Sequence, residues 1–97
     1  MSEGRPRPGW TVFTEEVPAT DMLDWPPDLA KKTVNFLLAL ALEVGAAVDA
    51  GRRPPGDPMD DIGLRHSLQV DGEPVLFEYE VLPEAREIRI PVVVWFG

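Results

Sequence analysis

The chain has 97 residues, 44% of them hydrophobic, which is enough for one ordinary domain core and too apolar for a disordered tail. It has no cysteine, so disulfides and thiolate metal sites are excluded. Nine basic against seventeen acidic residues give a formal charge of −8, a surface that repels a phosphate backbone, so nucleic acid is disfavoured as a partner.

Residues 1–9 carry glycine, proline and polar groups and read as a flexible lead-in to a single domain over residues 10–97. No apolar run follows the two arginines there, unlike a secretory signal. The longest purely apolar run, Phe36–Leu42, is seven residues, against the roughly 20 of a membrane span. A cytoplasmic protein without a membrane partner is the expectation. Trp10–Val17 is rich in β-formers, with Trp10 and Val12 on one side and Thr11 and Phe13 on the other, and predicts a strand that Pro18 ends. Ala19–Trp25 predicts a short helical turn with Asp21 as its cap.

Pro26-Pro27-Asp28 has the composition of a helix start, with proline tolerated at the first position and an acid suiting the dipole. The main helix is predicted over Asp28–Ala50, with Gly51 as the stop and Arg52 and Arg53 beside its negative end. Around Phe36–Leu42 it is apolar on every side, whereas a helix lying on one sheet needs only one apolar stripe. Either local segments sandwich it, or a partner chain covers a second face. In the second case Phe36, Leu38 and Leu42 are the partner-binding candidates. Pro54–Gly63 follows as a solvated, acidic loop. Asp57, Asp60 and Asp61 do not have the spacing of a calcium loop, and neither a metal nor a cofactor is expected.

The last third predicts a three-stranded antiparallel meander packed on the long helix. Leu64–Val70 runs into Asp71-Gly72, a two-residue hairpin signal, and Pro74–Val81 returns. Pairing Val70 with Glu73 sets Leu68 against Val75, His66 against Phe77 and Leu64 against Tyr79, with Arg65 facing Glu78 on the other side. After the turn at Pro83–Arg86, pairing Leu82 with Glu87 sets Val81 against Ile88, Tyr79 against Ile90 and Phe77 against Val92, with Glu80 facing Arg89. Both hairpins then place apolar residues on one face and opposite charges on the other. The inner face would be Leu64, His66, Leu68, Val70, Val75, Phe77, Tyr79, Val81, Ile88, Ile90, Val92 and Val94. Pro91 lacks an amide proton and calls for an edge position or a bulge, and the Trp10–Val17 strand is a candidate to join the sheet on one side.

The order strand, short helix, long helix and three strands, with WPPDLAKKTVNFLLAL in the helix and EPVLFEYEVLPEAREIRIPVVVW in the sheet, resembles the RelE/ParE toxin superfamily over residues 10–96. Val75–Val81 and Arg86–Val94 occupy the places of the family's tyrosine-containing strand and its final strand. The resemblance implies a RelE/ParE-like α+β fold and one of two activities, messenger-RNA cleavage on the ribosome or poisoning of DNA gyrase. It also implies neutralisation by an antitoxin segment lying along the surface.

Ribose-directed cleavage needs a base for the 2′-hydroxyl, cations for the phosphate charge and an acid for the leaving oxygen. Pro74 or Val75 stands where the family often has arginine, and the chain ends Trp95-Phe96-Gly97 without histidine, tyrosine or a basic tail. Arg65, Arg86 and Arg89 are the remaining catalytic candidates. Arg65 and Arg89 read more plainly as surface partners of Glu78 and Glu80, and Arg86 as a turn residue. His66 and Tyr79 read as core, with the histidine hydrogen-bonded. The readings left open are a toxin-fold protein acting through protein binding, a ribosome-dependent endoribonuclease, and an unrelated homodimeric structural or regulatory domain. The partner expected is an antitoxin-like segment or a second copy of the chain.

Overall fold

The computed structural model describes residues 9–97, so residues 1–8 of the expected lead-in lie outside the described residues. Thr11–Thr14 forms β1, shorter than the predicted Trp10–Val17. The chain turns at once into α1, Glu16–Met22. Pro18 therefore does not simply end the strand. It sits in the first turn of α1, where its missing N–H would have had no intrahelical partner. The predicted helical turn over Ala19–Trp25 is thus displaced toward the N-terminus.

Helix α2 runs Pro27–Asp49, with proline at its first position and Asp28 in the first turn. Its end is built by two backbone bonds: Arg52 N–H donates to Ala47 O at 2.7 Å and Gly51 N–H to Val48 O at 3.0 Å. Gly51 takes the left-handed conformation, φ +72°, that this cap requires. The predicted stop signal at Gly51 is realised in this form.

Five strands make one mixed sheet: β1, β2 (Asp57–Pro58), β3 (Arg65–Gln69), β4 (Val75–Leu82) and β5 (Glu87–Trp95), in the order β1-β5-β4-β3-β2. β3, β4 and β5 are successive antiparallel neighbours. The sheet is nevertheless larger than three strands. β1 adds parallel to β5, and the two-residue β2, inside the segment predicted as loop, adds antiparallel to β3.

Both hairpins depart in part from the predicted register. In the first, His66 lies opposite Tyr79 and Leu68 opposite Phe77, a slip of two residues from the prediction. Val70 N–H donates to Val75 O, and Glu73 N–H to Val70 O, so the turn is wider than the Asp71-Gly72 pair. An even slip keeps every side chain on its face. In the second, Leu82–Glu87, Val81–Ile88 and Glu80–Arg89 pair as predicted. A register shift then falls between Glu78 and Glu80, and beyond it Phe77 faces Val93 instead of Val92.

The shift is a bulge at Pro91, which lies one residue past the last β1–β5 pair, Thr14–Ile90. β5 lies between β1 and β4 only as far as Ile90, so Pro91 also stands where one side of β5 is locally an open edge. An odd slip reverses faces, so Val93 is buried and Val94 is exposed, against the prediction. Val92 is half-buried on the outer side. Leu64, also predicted inside, precedes β3 and is exposed.

Both helices lie on one face of the sheet, α1 on β5 and α2 on β1 and β5. The core joins Leu37, Leu40, Ala41 and Val44 of α2 to Val75, Phe77, Tyr79, Val81, Ile88, Ile90 and Val93 of the sheet. Trp10 closes the core beside Gly45, where an added Cβ would lie 2.2 Å from the indole Cδ1. Beyond α2 the loop folds back over the sheet, and Tyr79 Oη donates a hydrogen bond to Pro55 O. Among the described residues no helix is long and apolar enough to cross a membrane.

Candidate functional site

Three groups of residues carry chemistry or an unfilled surface. The first is the open face of the sheet. Arg65 on β3 and Arg89 on β5 each lie opposite Glu80 of β4, so the two guanidinium-bearing positions flank one carboxylate across about 9–10 Å. Arg65 donates through Nε and Nη2 to Glu78 Oε1 at 3.1 and 2.7 Å, diagonal to its pairing partner. That bond, opposed by partial desolvation, raises the arginine further above its ordinary value. Arg89 does not form the predicted ion pair with Glu80. Its Nε lies 3.5 Å from Glu87 Oε1, on its own strand, and its guanidinium covers the Phe13 ring at 5.2 Å. With Glu78, Glu80 and Glu87 around two arginines, this patch carries more negative than positive charge and does not attract a phosphodiester.

Arg86 is not part of that patch. It sits in the β4–β5 turn with φ +51°, and its Nη1 and Nη2 donate to Asp49 Oδ1 and Oδ2, both at 3.1 Å. The guanidinium also lies 5.5 Å from the Trp10 ring centroid. This fork ties the turn to the end of α2 and caps the tryptophan, a structural task. The structure therefore brings together Arg65 and Arg89 of the three candidates and separates Arg86 from them.

The second group is the surface of α2. Leu37, Leu40, Ala41 and Val44 face the sheet. Phe36 is half-buried and meets Phe77 edge-on, with ring centroids 5.9 Å apart. It does not share the outer side with Leu38 and Leu42, which are 54% and 66% exposed. Val34, 45% exposed, lies four residues before Leu38, so the three form one row along the helix, about 12 Å long. The row continues into a groove of about 220 Å³ lined by Thr14, Ala19, Met22, Leu23, Ala30 and Val34, where Leu23 is 83% exposed. Sequence reading identified Leu38 and Leu42. It missed Val34 and Leu23, because the four-residue spacing of Val34, Leu38 and Leu42 is shared by Thr33, Leu37 and Ala41, which are buried.

The third group surrounds His66. Its side chain points from β3 to the helix side, opposite to Arg65, and is 1% exposed. The ring stacks on Tyr79 at 5.2 Å with a 16° interplanar angle. Burial lowers the histidine below its ordinary pKa, with Asp60 and Arg53 acting in opposite, smaller senses. Its Nδ1 has no hydrogen-bond partner, so the expected hydrogen-bonded core histidine is corrected on that atom. Burial also raises the Tyr79 phenol far above its ordinary value. A neutral buried imidazole and a strongly raised phenol, both turned from the open face, are not placed to act with Arg65 and Arg89.

No group of three or more histidine, aspartate or glutamate side chains among the described residues is arranged to hold a metal ion. No protein-family model, curated protein or solved structure matches the chain.

Proposed function

We propose that this chain is a RelE/ParE-like toxin-fold protein, belonging to a toxin–antitoxin type system or a degenerate relative of one, that acts by binding another protein. The observation that carries the reading is the exposed row Val34, Leu38 and Leu42 on α2, continuous with the groove at Leu23. Single exposed apolar residues are ordinary, but a continuous row joined to a groove marks an interaction surface. The order of strand, short helix, long helix and three successive antiparallel strands supports the family part of the reading.

An apolar helical or extended segment fits a row about 12 Å long, by the helix-in-groove mode of recognition. The chain's own charge of −8 opposes a second copy there and favours a partner of opposite charge. The excess of carboxylates around Arg65 and Arg89, and the burial of His66 and Tyr79, favour binding over ribonuclease chemistry.

Replacing Leu38 and Leu42 together by lysine tests the proposal. Both side chains project outward, so thermal stability is expected to stay within the small change usual for surface substitutions, about 0.5 kcal/mol each. The mass of complexes formed with the protein expressed in its own cells is the readout. Loss of a small hetero-partner from the double variant supports the reading. A homodimer that the variant dissociates transfers the chain to the class of homodimeric domains, and a monomer with no partner refutes binding through α2.

A further inference from the structure

A cleft of about 430 Å³ opens where the end of α2, the 54–63 loop and β3 meet. Gly51, Arg52, Arg53, Asp60, Asp61 and His66 are among the residues that line it. Lys32, Arg65, Arg86 and Arg89 all pair with carboxylates. Arg52 and Arg53 form no ion pair among the described residues, in a chain where acids outnumber bases seventeen to nine. Asp60 and Asp61 balance the two arginines in formal charge, and Asp60 Oδ1 accepts from Leu64 N–H at 3.0 Å, which closes its own loop, so an anion here relies on the forked donors and not on net charge.

Below the arginines, His66 lines the cleft with a buried Nδ1 that has no partner. Buried polar atoms are nearly always satisfied, and an exception at the wall of a cavity points to a ligand group. Both arginines follow the helix cap directly, in which the Arg52 backbone N–H closes the last turn onto Ala47 O. Their exposed side chains lie at a helix C-terminus, where the dipole favours cations, and their forked donors remain available for a planar or tetrahedral oxyanion.

We propose that this cleft binds a small organic oxyanion, a carboxylate or a phosphate ester, with Arg52 and Arg53 holding the anionic group and His66 contacting the buried end. The site is separate from the outer row of α2 and stands or falls independently of the protein-binding reading.

The test is a titration of the isotope-labelled protein with inorganic phosphate and, separately, with citrate, following the His66 ring signals by NMR. Sodium chloride at matched ionic strength is the control. A saturable shift of the His66 signals with either probe is expected, and which probe saturates first assigns phosphate or carboxylate chemistry. Arg52→Ala with Arg53→Ala is expected to weaken that binding about tenfold or more, the usual loss for charge-assisted hydrogen bonds. These side chains are exposed, so the double variant keeps the fold and its His66–Tyr79 stack, which the same spectra report. A response no different from chloride overturns the proposal. So does saturable binding that survives loss of both arginines.

Discussion

Gly45→Ala is the substitution whose effect the packing decides against local propensity. In an isolated helix, alanine for glycine stabilises by about 1 kcal/mol. Here the new methyl carbon would lie 2.2 Å from Trp10 Cδ1 and 2.4 Å from Cγ. Carbon atoms pack at about 3.5–4.0 Å, so the indole has to retreat by more than ~1 Å. Trp10 is buried in the core, under the Arg86 guanidinium, and cannot withdraw without opening contacts on both sides. Overpacking of this kind costs about 1–3 kcal/mol, and complete expulsion of the ring would approach the roughly 3–5 kcal/mol of deleting a tryptophan. An approach of 2.2 Å calls for the upper half of that overpacking range, about 2–3 kcal/mol, so set against the propensity gain of about 1 kcal/mol the expected net loss is about 1–2 kcal/mol. For a domain of this size that lowers Tm by about 4–8 °C per kcal/mol. Urea unfolding followed by circular dichroism measures it, with the same substitution repeated in a Trp10→Ala background. There the clash is absent and Gly45→Ala should stabilise, by about 1 kcal/mol. A Gly45→Ala protein as stable as the parent, or a penalty that persists without Trp10, would refute the close approach as its cause.

Arg86→Ala should destabilise more than Arg86→Gly. Both remove the fork to Asp49 and the cap on Trp10, together about 1–2 kcal/mol, but glycine also relieves the left-handed backbone at φ +51° and recovers about 1 kcal/mol; equal losses in denaturant midpoints would contradict this. Stability should also decline at both ends of the pH scale. The folded His66 has a pKa below its ordinary 6.5, so its contribution is full above about pH 6.5 and is lost as pH falls toward the folded value, because the unfolded chain takes up the proton first. The folded Tyr79 has a pKa above its ordinary 10.0, so its contribution is full below about pH 10 and is lost as pH rises beyond it. Each group gives a slope of at most about 1.4 kcal/mol per pH unit, and Tyr79→Phe should remove the alkaline slope in urea titrations run across pH.

Face assignment was legible in the sequence from His66 to Ile90, up to the bulge, because it depends only on a period of two. The alternation from Val75 to Val81 placed Phe77 and Tyr79 inside whatever the register. The first hairpin shows how far that reaches: its pairing slipped by two residues, and His66 and Leu68 still point inward. Arg65 and Glu78 also found each other across a diagonal instead of a direct pair. Helix α2 and its stop at Gly51 were similarly local, since a proline start, an unbroken apolar run and a left-handed cap are all set within a few residues of one another.

What only the tertiary structure decided follows from contacts between distant segments. Pro91 signalled a bulge, but whether the extra residue fell before or after Ile90 fixed which of Val92, Val93 and Val94 is buried, and that depended on where β1 stops pairing with β5. The parallel docking of β1 also had no local signal. It is held by bonds such as Thr11 N–H to Arg86 O, 75 residues away in sequence, and by Trp10 closing on Gly45. A helix apolar on every side carries no information about its rotation, so the outward row of Val34, Leu38 and Leu42, and the inward turn of Phe36, appeared only once Leu37, Leu40, Ala41 and Val44 had taken the sheet. The cleft beneath Arg52 and Arg53 belongs to the same class: period, propensity and capping act over a few residues, whereas a cavity exists only where separate segments of chain fail to fill the space between them.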